Sequence, residues 1–205
     1  MTGLLSDPAS LAARLARLRT NPAMRPLRRL ALQIRRGTGH AVPQADPCDG
    51  GAAARILLLL ETPGPGIRIV SRDNAGGTAA NLRRFLAASG IARQDLLIWN
   101  LIPWMIHAAG ARNRAPRMAE AKAGLAFLPP LLDILPGLRV AILAGRFAAR
   151  AEPTLRALGN GLAILAMPHP SPNCVCTSPA IGQRIAAVLA EAARSLHVPT
   201  ATRAA

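Results

Sequence analysis

Ile56-Leu57-Leu58-Leu59-Leu60 is a run of five apolar residues with no polar side, and it restricts the folds open to this chain. A strand that shows one face to water alternates apolar and polar residues, whereas an unbroken run marks a strand buried on both faces, as in parallel sheets. Three more runs follow: Leu96-Leu97-Ile98-Trp99 ending at Asn100, Val140-Ala141-Ile142-Leu143 closed by Gly145, and Leu162 to Ala166. Helical patterns separate them. One starts at Thr78 as N-cap, turns Leu82, Phe85 and Leu86 inward and stops at Gly90. Another runs from about Arg117 to Leu135 with a bend near Pro129-Pro130, and a third covers Arg146 to Leu158. The last opens on Ser178-Pro179 and carries an apolar stripe of Ile181, Ile185, Val188, Leu189 and Leu196. Short buried strands alternating with helices predict an α/β fold, a three-layer α/β/α domain with a central four-stranded parallel sheet.

The first 50 residues have a different character. Ser6-Asp7-Pro8 is a helix start, with Leu11, Leu15 and Leu18 on one face, and a second helix is expected over about Met24 to Arg36 with Leu27, Leu30 and Ile34 in line. Arg28, Arg29, Arg35 and Arg36 decorate that second helix, as a solvated basic face or as an arm that contacts DNA. Gly37 to Gly51 reads as a linker. The organisation expected is therefore a basic helical extension and linker over 1–50, an α/β domain over 51–198 and a tail over 199–205. The formal charge of +15 favours polyanionic partners. Lys122 is the only lysine, however, so the excess equally fits the codon bias of a high-GC bacterial genome.

Several classes are excluded. Cys48, Cys174 and Cys176 make neither a disulfide framework nor a four-thiolate site, which fits a reducing cytoplasm. No apolar stretch approaches the ~20 residues of a membrane span. The Thr62-Pro63-Gly64-Pro65-Gly66 loop lacks the Gly-Lys-Ser/Thr ending of a phosphate loop, and its prolines remove backbone donors. Neither a nucleophile-elbow serine nor a zinc-spaced set of ligands is present, so no metal or cofactor is expected.

Ligands of open parallel sheets bind beyond the carboxyl ends of the strands. Those ends here carry Glu61-Thr62-Pro63-Gly64, Asn100-Leu101-Ile102-Pro103-Trp104 and His169-Pro170-Ser171-Pro172. A strand followed by Leu60-Glu61-Thr62-Pro63-Gly64 resembles the first motif of the uracil-DNA glycosylases. The strand ending in Asn100 is similar to the one whose asparagine reads the uracil edge, and His-Pro-Ser-Pro matches the last motif letter for letter. The resemblance spans roughly Arg55 to Leu196.

That resemblance implies a monomeric DNA-repair enzyme that hydrolyses the N-glycosidic bond of uracil or another deaminated base in DNA, without metal or cofactor. It assigns His169 to the leaving base, with Thr62, Pro63, Gly64, Val70, Asn100 and Ser171 as substrate-binding residues. Thr62 stands where many relatives have Asp or Asn and is no general base at neutral pH. Asp73, in Ser71-Arg72-Asp73-Asn74-Ala75-Gly76, is similar to a downstream carboxylate of one branch and is expected to activate water; Glu61 is the other carboxylate at hand. Two departures favour an alternative, a catalytically weak relative that binds DNA or damaged bases: the first motif lacks a base, and Val70 replaces the aromatic ring that stacks on the everted base. Val175 is the sole apolar candidate for the usual leucine wedge.

Overall fold

The computed structural model describes residues 4–107, 114–158 and 161–197; the expected tail over 199–205 lies outside them. In chain order the strands are β1 (Gln44–Ala45), β2 (Ile56–Leu60), β3 (Ile69–Val70), β4 (Leu96–Asn100), β5 (Val140–Ala144) and β6 (Ala163–Met167). The helices are α1 (Pro8–Thr20), α2 (Arg25–Thr38), α3 (Gly77–Ala88), α4 (Met118–Leu125), α5 (Leu128–Asp133), α6 (Glu152–Leu158), α7 (Pro172–Val175) and α8 (Pro179–Ser195). Four strands form one parallel sheet in the order β4-β2-β5-β6, and β1 pairs with β3 in a small parallel pair beside it.

Alternation along each strand divides the apolar runs between two layers. Leu57, Leu59, Leu97, Trp99, Ala141 and Leu143 pack with apolar residues of α1, α2, α4, α5 and α6. Their neighbours Ile56, Leu58, Ile98 and Ile142 pack with α3 and α8. The expected three-layer α/β/α fold with a four-stranded parallel sheet is the observed one. Each fully buried side chain of these runs contributes about 1.5–3 kcal/mol, so the strands form where the apolar runs lie.

The differences are local and have physical causes. Helix α3 starts at Gly77 with Gly76 as its cap, two residues earlier than the expected cap Thr78, and no side chain caps it. The bent helix over 117–135 is two helices, because Pro129 falls in the first turn of α5, where no backbone donor is required. The helix predicted over 146–158 begins as a 3-10 turn, Ala148–Ala151, before α6.

The largest difference concerns residues 37–51, expected to be a linker. Their C-terminal part is buried: Ala45 enters β1, and Asp46 is fully enclosed. Gly50 donates from its backbone N to the Leu96 carbonyl at 2.9 Å, along the outer edge of β4. A Cβ at Gly50 would lie 2.0 Å from the Gln94 carbonyl oxygen, so only glycine fits. Met24, Leu27, Leu30 and Ile34 of the N-terminal segment also share one core with the sheet.

Buried charges fasten α1 to this assembly. Arg14, 5% exposed, donates from Nη1 to the Asp46 carboxylate at 2.6 Å and from Nη2 to Asp73 at 2.9 Å. Arg93 reaches Asp46 at 2.8 Å, Asp73 at 2.9 Å and Asp49 at 2.8 Å. The Ser71 hydroxyl and the Cys48 backbone N also donate to Asp46. Burial would raise Asp73, but the hydrogen bonds and charges of Arg14 and Arg93 outweigh it and hold the group below the usual carboxylate range. Asp49 behaves oppositely: burial and then the charge of Asp46 push it up to about 7, against the opposing pull of Arg93 and Arg72.

Two outcomes are expected. Arg14→Met strips one partner from each of two buried carboxylates and should cost about 3–5 kcal/mol in urea unfolding. Asp49 binds its proton more tightly folded than unfolded, so its contribution is complete below the unfolded value of 3.8 and is lost as pH rises towards about 7. Urea midpoints of Asp49→Asn relative to the parent should therefore improve with rising pH across that window, by at most about 1.4 kcal/mol per pH unit.

Candidate active site

The site lies where the sheet's carboxyl ends meet the loops. β2 exits into Glu61-Thr62-Pro63-Gly64 and β4 into Asn100-Leu101-Ile102, and the two exits are tied together. Leu101 N donates to the Leu60 carbonyl at 2.8 Å and Ile102 N to the Glu61 carbonyl at 3.0 Å. β6 leads into His169-Pro170-Ser171, next to the turn at Gly145 that follows β5. Gly145 has φ +94°, and a Cβ there would meet Glu61 Oε1 at 2.5 Å and the His169 Cβ at 3.0 Å. The absence of a side chain at 145 is thus what lets Glu61 and His169 approach each other.

A cleft of about 940 Å³ opens over these loops. Glu61, Thr62, Pro63, Gly64, Val70, Asn100, His169 and Ser171 all line it. Asp73 does not line the cleft. It is 6% exposed, and both Arg14 and Arg93 occupy its carboxylate. Its neighbours Ser71 and Asn74 do line the cleft, so the loop reaches the site while this carboxylate serves the ion network. Val175, the wedge candidate, ends the short α7 and packs against the α3–α8 layer of the core.

Three side chains define the chemistry. Asn100 is 2% exposed, and its Oδ1 has no hydrogen-bond partner among the described residues. An unpaired buried amide oxygen is costly, on the order of 1–3 kcal/mol, unless a ligand completes it. His169 accepts at Nδ1 from the Ser171 backbone N at 3.2 Å. The proton of the neutral ring therefore sits on Nε2, which remains a donor. Burial lowers the His169 pKa from 6.5, with the charge of Glu61 opposing, so the ring is neutral at physiological pH. Glu61 accepts at Oε1 from the Phe147 backbone N at 3.2 Å, a bond that orients its carboxyl group.

Sequence reasoning missed the exit of β5. Arg146 and Phe147 line the cleft, and Phe147 is the aromatic ring among its described residues that is neither His nor Trp. The carboxyl-end rule pointed to this loop, but Gly145-Arg146-Phe147 carried no motif to single it out. Leu5, Ser6 and Leu11 also line the cleft, and only the packing of α1 reveals them. Among the described residues no group of three or more His, Cys, Asp or Glu is arranged to hold a metal ion, and the cysteines are free thiols. No described helix is long and apolar enough to cross a membrane.

The protonation state is directly measurable. An NMR titration of the His169 ring should give an inflection below pH 6.5, and Glu61→Gln should lower it further, because the opposing negative charge is gone.

Comparison with known proteins agrees with the motifs. A family model for the uracil DNA glycosylase superfamily matches residues 49–191, well over half of the chain. No curated protein sequence matches significantly. Among solved structures, the solution NMR structure of a candidate uracil DNA glycosylase from Methanosarcina acetivorans is similar at 17% identity and a TM-score of 0.43, covering 68% of this chain and 93% of that one. The order of the three motifs along the strands and the match over 49–191 lead to one assignment: the chain belongs to the uracil-DNA glycosylase superfamily.

Proposed function

We propose that the protein is a DNA-repair hydrolase that releases uracil or a related deaminated base from DNA by cleaving the N-glycosidic bond. The observation that carries this reading is the gathering of Glu61, Asn100 and His169, each from the exit of a different parallel strand, around one cleft. A base inside a duplex is beyond reach of such groups, so the substrate nucleotide is everted into the cleft. The Asn100 amide, with its unpaired oxygen, presents the donor and acceptor that a pyrimidine edge requires. As the bond between the base nitrogen and C1′ breaks, its electron pair leaves with the base and negative charge gathers on a ring carbonyl. The Nε2–H of neutral His169 faces that charge as a preorganised donor. Positive character grows on the sugar, and Glu61 both stabilises it and takes the proton of the water that attacks C1′.

Glu61 is favoured over Asp73 for this role because the two guanidinium groups already engage Asp73 outside the cleft. Arg68 and Arg146 at the cleft give the phosphates a cationic rim. The missing ring at Val70 weakens capture of the base, at roughly 1–3 kcal/mol for a lost stack.

Abasic-site formation on oligonucleotides carrying one deoxyuridine, single- and double-stranded, tests the reading. Glu61→Gln should slow release by about 10²–10⁴-fold with an unchanged thermal midpoint. Asp73→Asn should instead lower the midpoint. Salt-sensitive binding without any release would identify a binding protein, and equal rates for Glu61→Gln and the parent would remove Glu61 from the mechanism.

A further inference from the structure

Helix α1 lies outside the segment that matches the family, which begins at residue 49. It nevertheless reaches the cleft: Leu5 and Ser6 just before it and Leu11 within it are among the lining residues. The contact is built. Leu5 donates from its backbone N to the Asp73 carbonyl at 2.9 Å, and Arg14 is ion-paired to Asp46 and Asp73. All three attachments fall on or beside the 71–73 loop, which directly follows Val70, the residue standing where relatives carry a stacking ring.

We propose that α1 is a built-in wall of the base-binding cleft, with Leu5, Ser6 and Leu11 as specificity-determining residues that meet the everted base beside Val70. This rests on the reading of the cleft as a base-binding site. Two observations favour a base over a phosphate as the group α1 meets. Leu5, Ser6 and Leu11 are uncharged, while Arg68, Arg114 and Arg146 supply the cationic part of the lining. Leu5 is 8% exposed and Val70 7% exposed, so the surface they offer is a narrow aliphatic one suited to a flat, weakly hydrated ring. A chain without an aromatic at 69–70 can still hold a base by apolar contact from two sides. Burial of Arg14 and its two aspartates then has a functional consequence, because it fixes α1 against the loop that follows Val70.

Steady-state release from a single-stranded oligonucleotide with one deoxyuridine tests the wall, using the full chain. Leu11→Ser removes apolar surface, and Ser6→Trp places bulk at an exposed position that the fold tolerates. Each should raise KM about fivefold or more with kcat nearly constant, while the thermal midpoint of Ser6→Trp stays close to the parent's. Leu32→Ser, an exposed leucine on α2 at 47% exposure and absent from the cleft lining, should leave KM unchanged. If Leu11→Ser unfolds, Ser6→Trp decides alone. A parent that releases uracil and α1 variants with parental KM overturn the wall and leave the base-release reading intact. A parent that neither releases uracil nor binds the oligonucleotide overturns the base-release reading, and the wall with it.

Discussion

A carboxylate with no access to water must be surrounded by donors, and Asp46 meets that requirement with groups from distant parts of the chain. Arg14 comes from α1, Arg93 from the turn before β4, Ser71 from the loop after β3, and Cys48 N from its own turn. Each brings its element with it, so one buried charge fixes the relative positions of four segments. Asp73 and Asp49 extend the arrangement through the same two arginines. The loop that carries Ser71 and Asn74 to the cleft is therefore held from behind by ions, while Val70 just before it is held by the pairing of β3 with β1.

The cleft itself depends on a simpler device. Parallel strands deliver their carboxyl ends to one edge, and here β2, β4 and β6 deliver a carboxylate, an amide and an imidazole. Backbone bonds between the exits of β2 and β4 set the spacing of Glu61 and Asn100. The bare α-carbon of Gly145 sets that of Glu61 and His169. Burial keeps the imidazole neutral, and the Ser171 backbone N chooses which ring nitrogen keeps its proton. A neutral ring that keeps an N–H donor and a carboxylate thus line the same cleft.

The N-terminal 50 residues show how a segment that looks peripheral in sequence becomes part of a site. Their arginines suggested a solvated or DNA-contacting face, and most of those on α2 are exposed. Arg14 is the exception, and its burial joins α1 to the interior. The leucines of α2 complete the same core that covers the sheet, so the extension and the α/β domain are built on one apolar layer.

Sequence by itself determined the sheet and its edge of action. The unbroken apolar runs of β2, β4 and β5 are buried throughout, whereas the run of β6 forms a partly exposed edge strand. Asn100 ends one run and His169-Pro170-Ser171-Pro172 comes after another, so their placement at strand exits was legible. The fate of the carboxylates was not. Glu61 and Asp73 are chemically alike and each lies near a motif, and what separates them is the pair of guanidinium groups that tertiary packing brings to one and not to the other. The burial of Asp46, the approach of Phe147 and the reach of α1 into the cleft were likewise decided in three dimensions. Ion pairs between residues 32 or 59 positions apart leave no periodic trace along a chain.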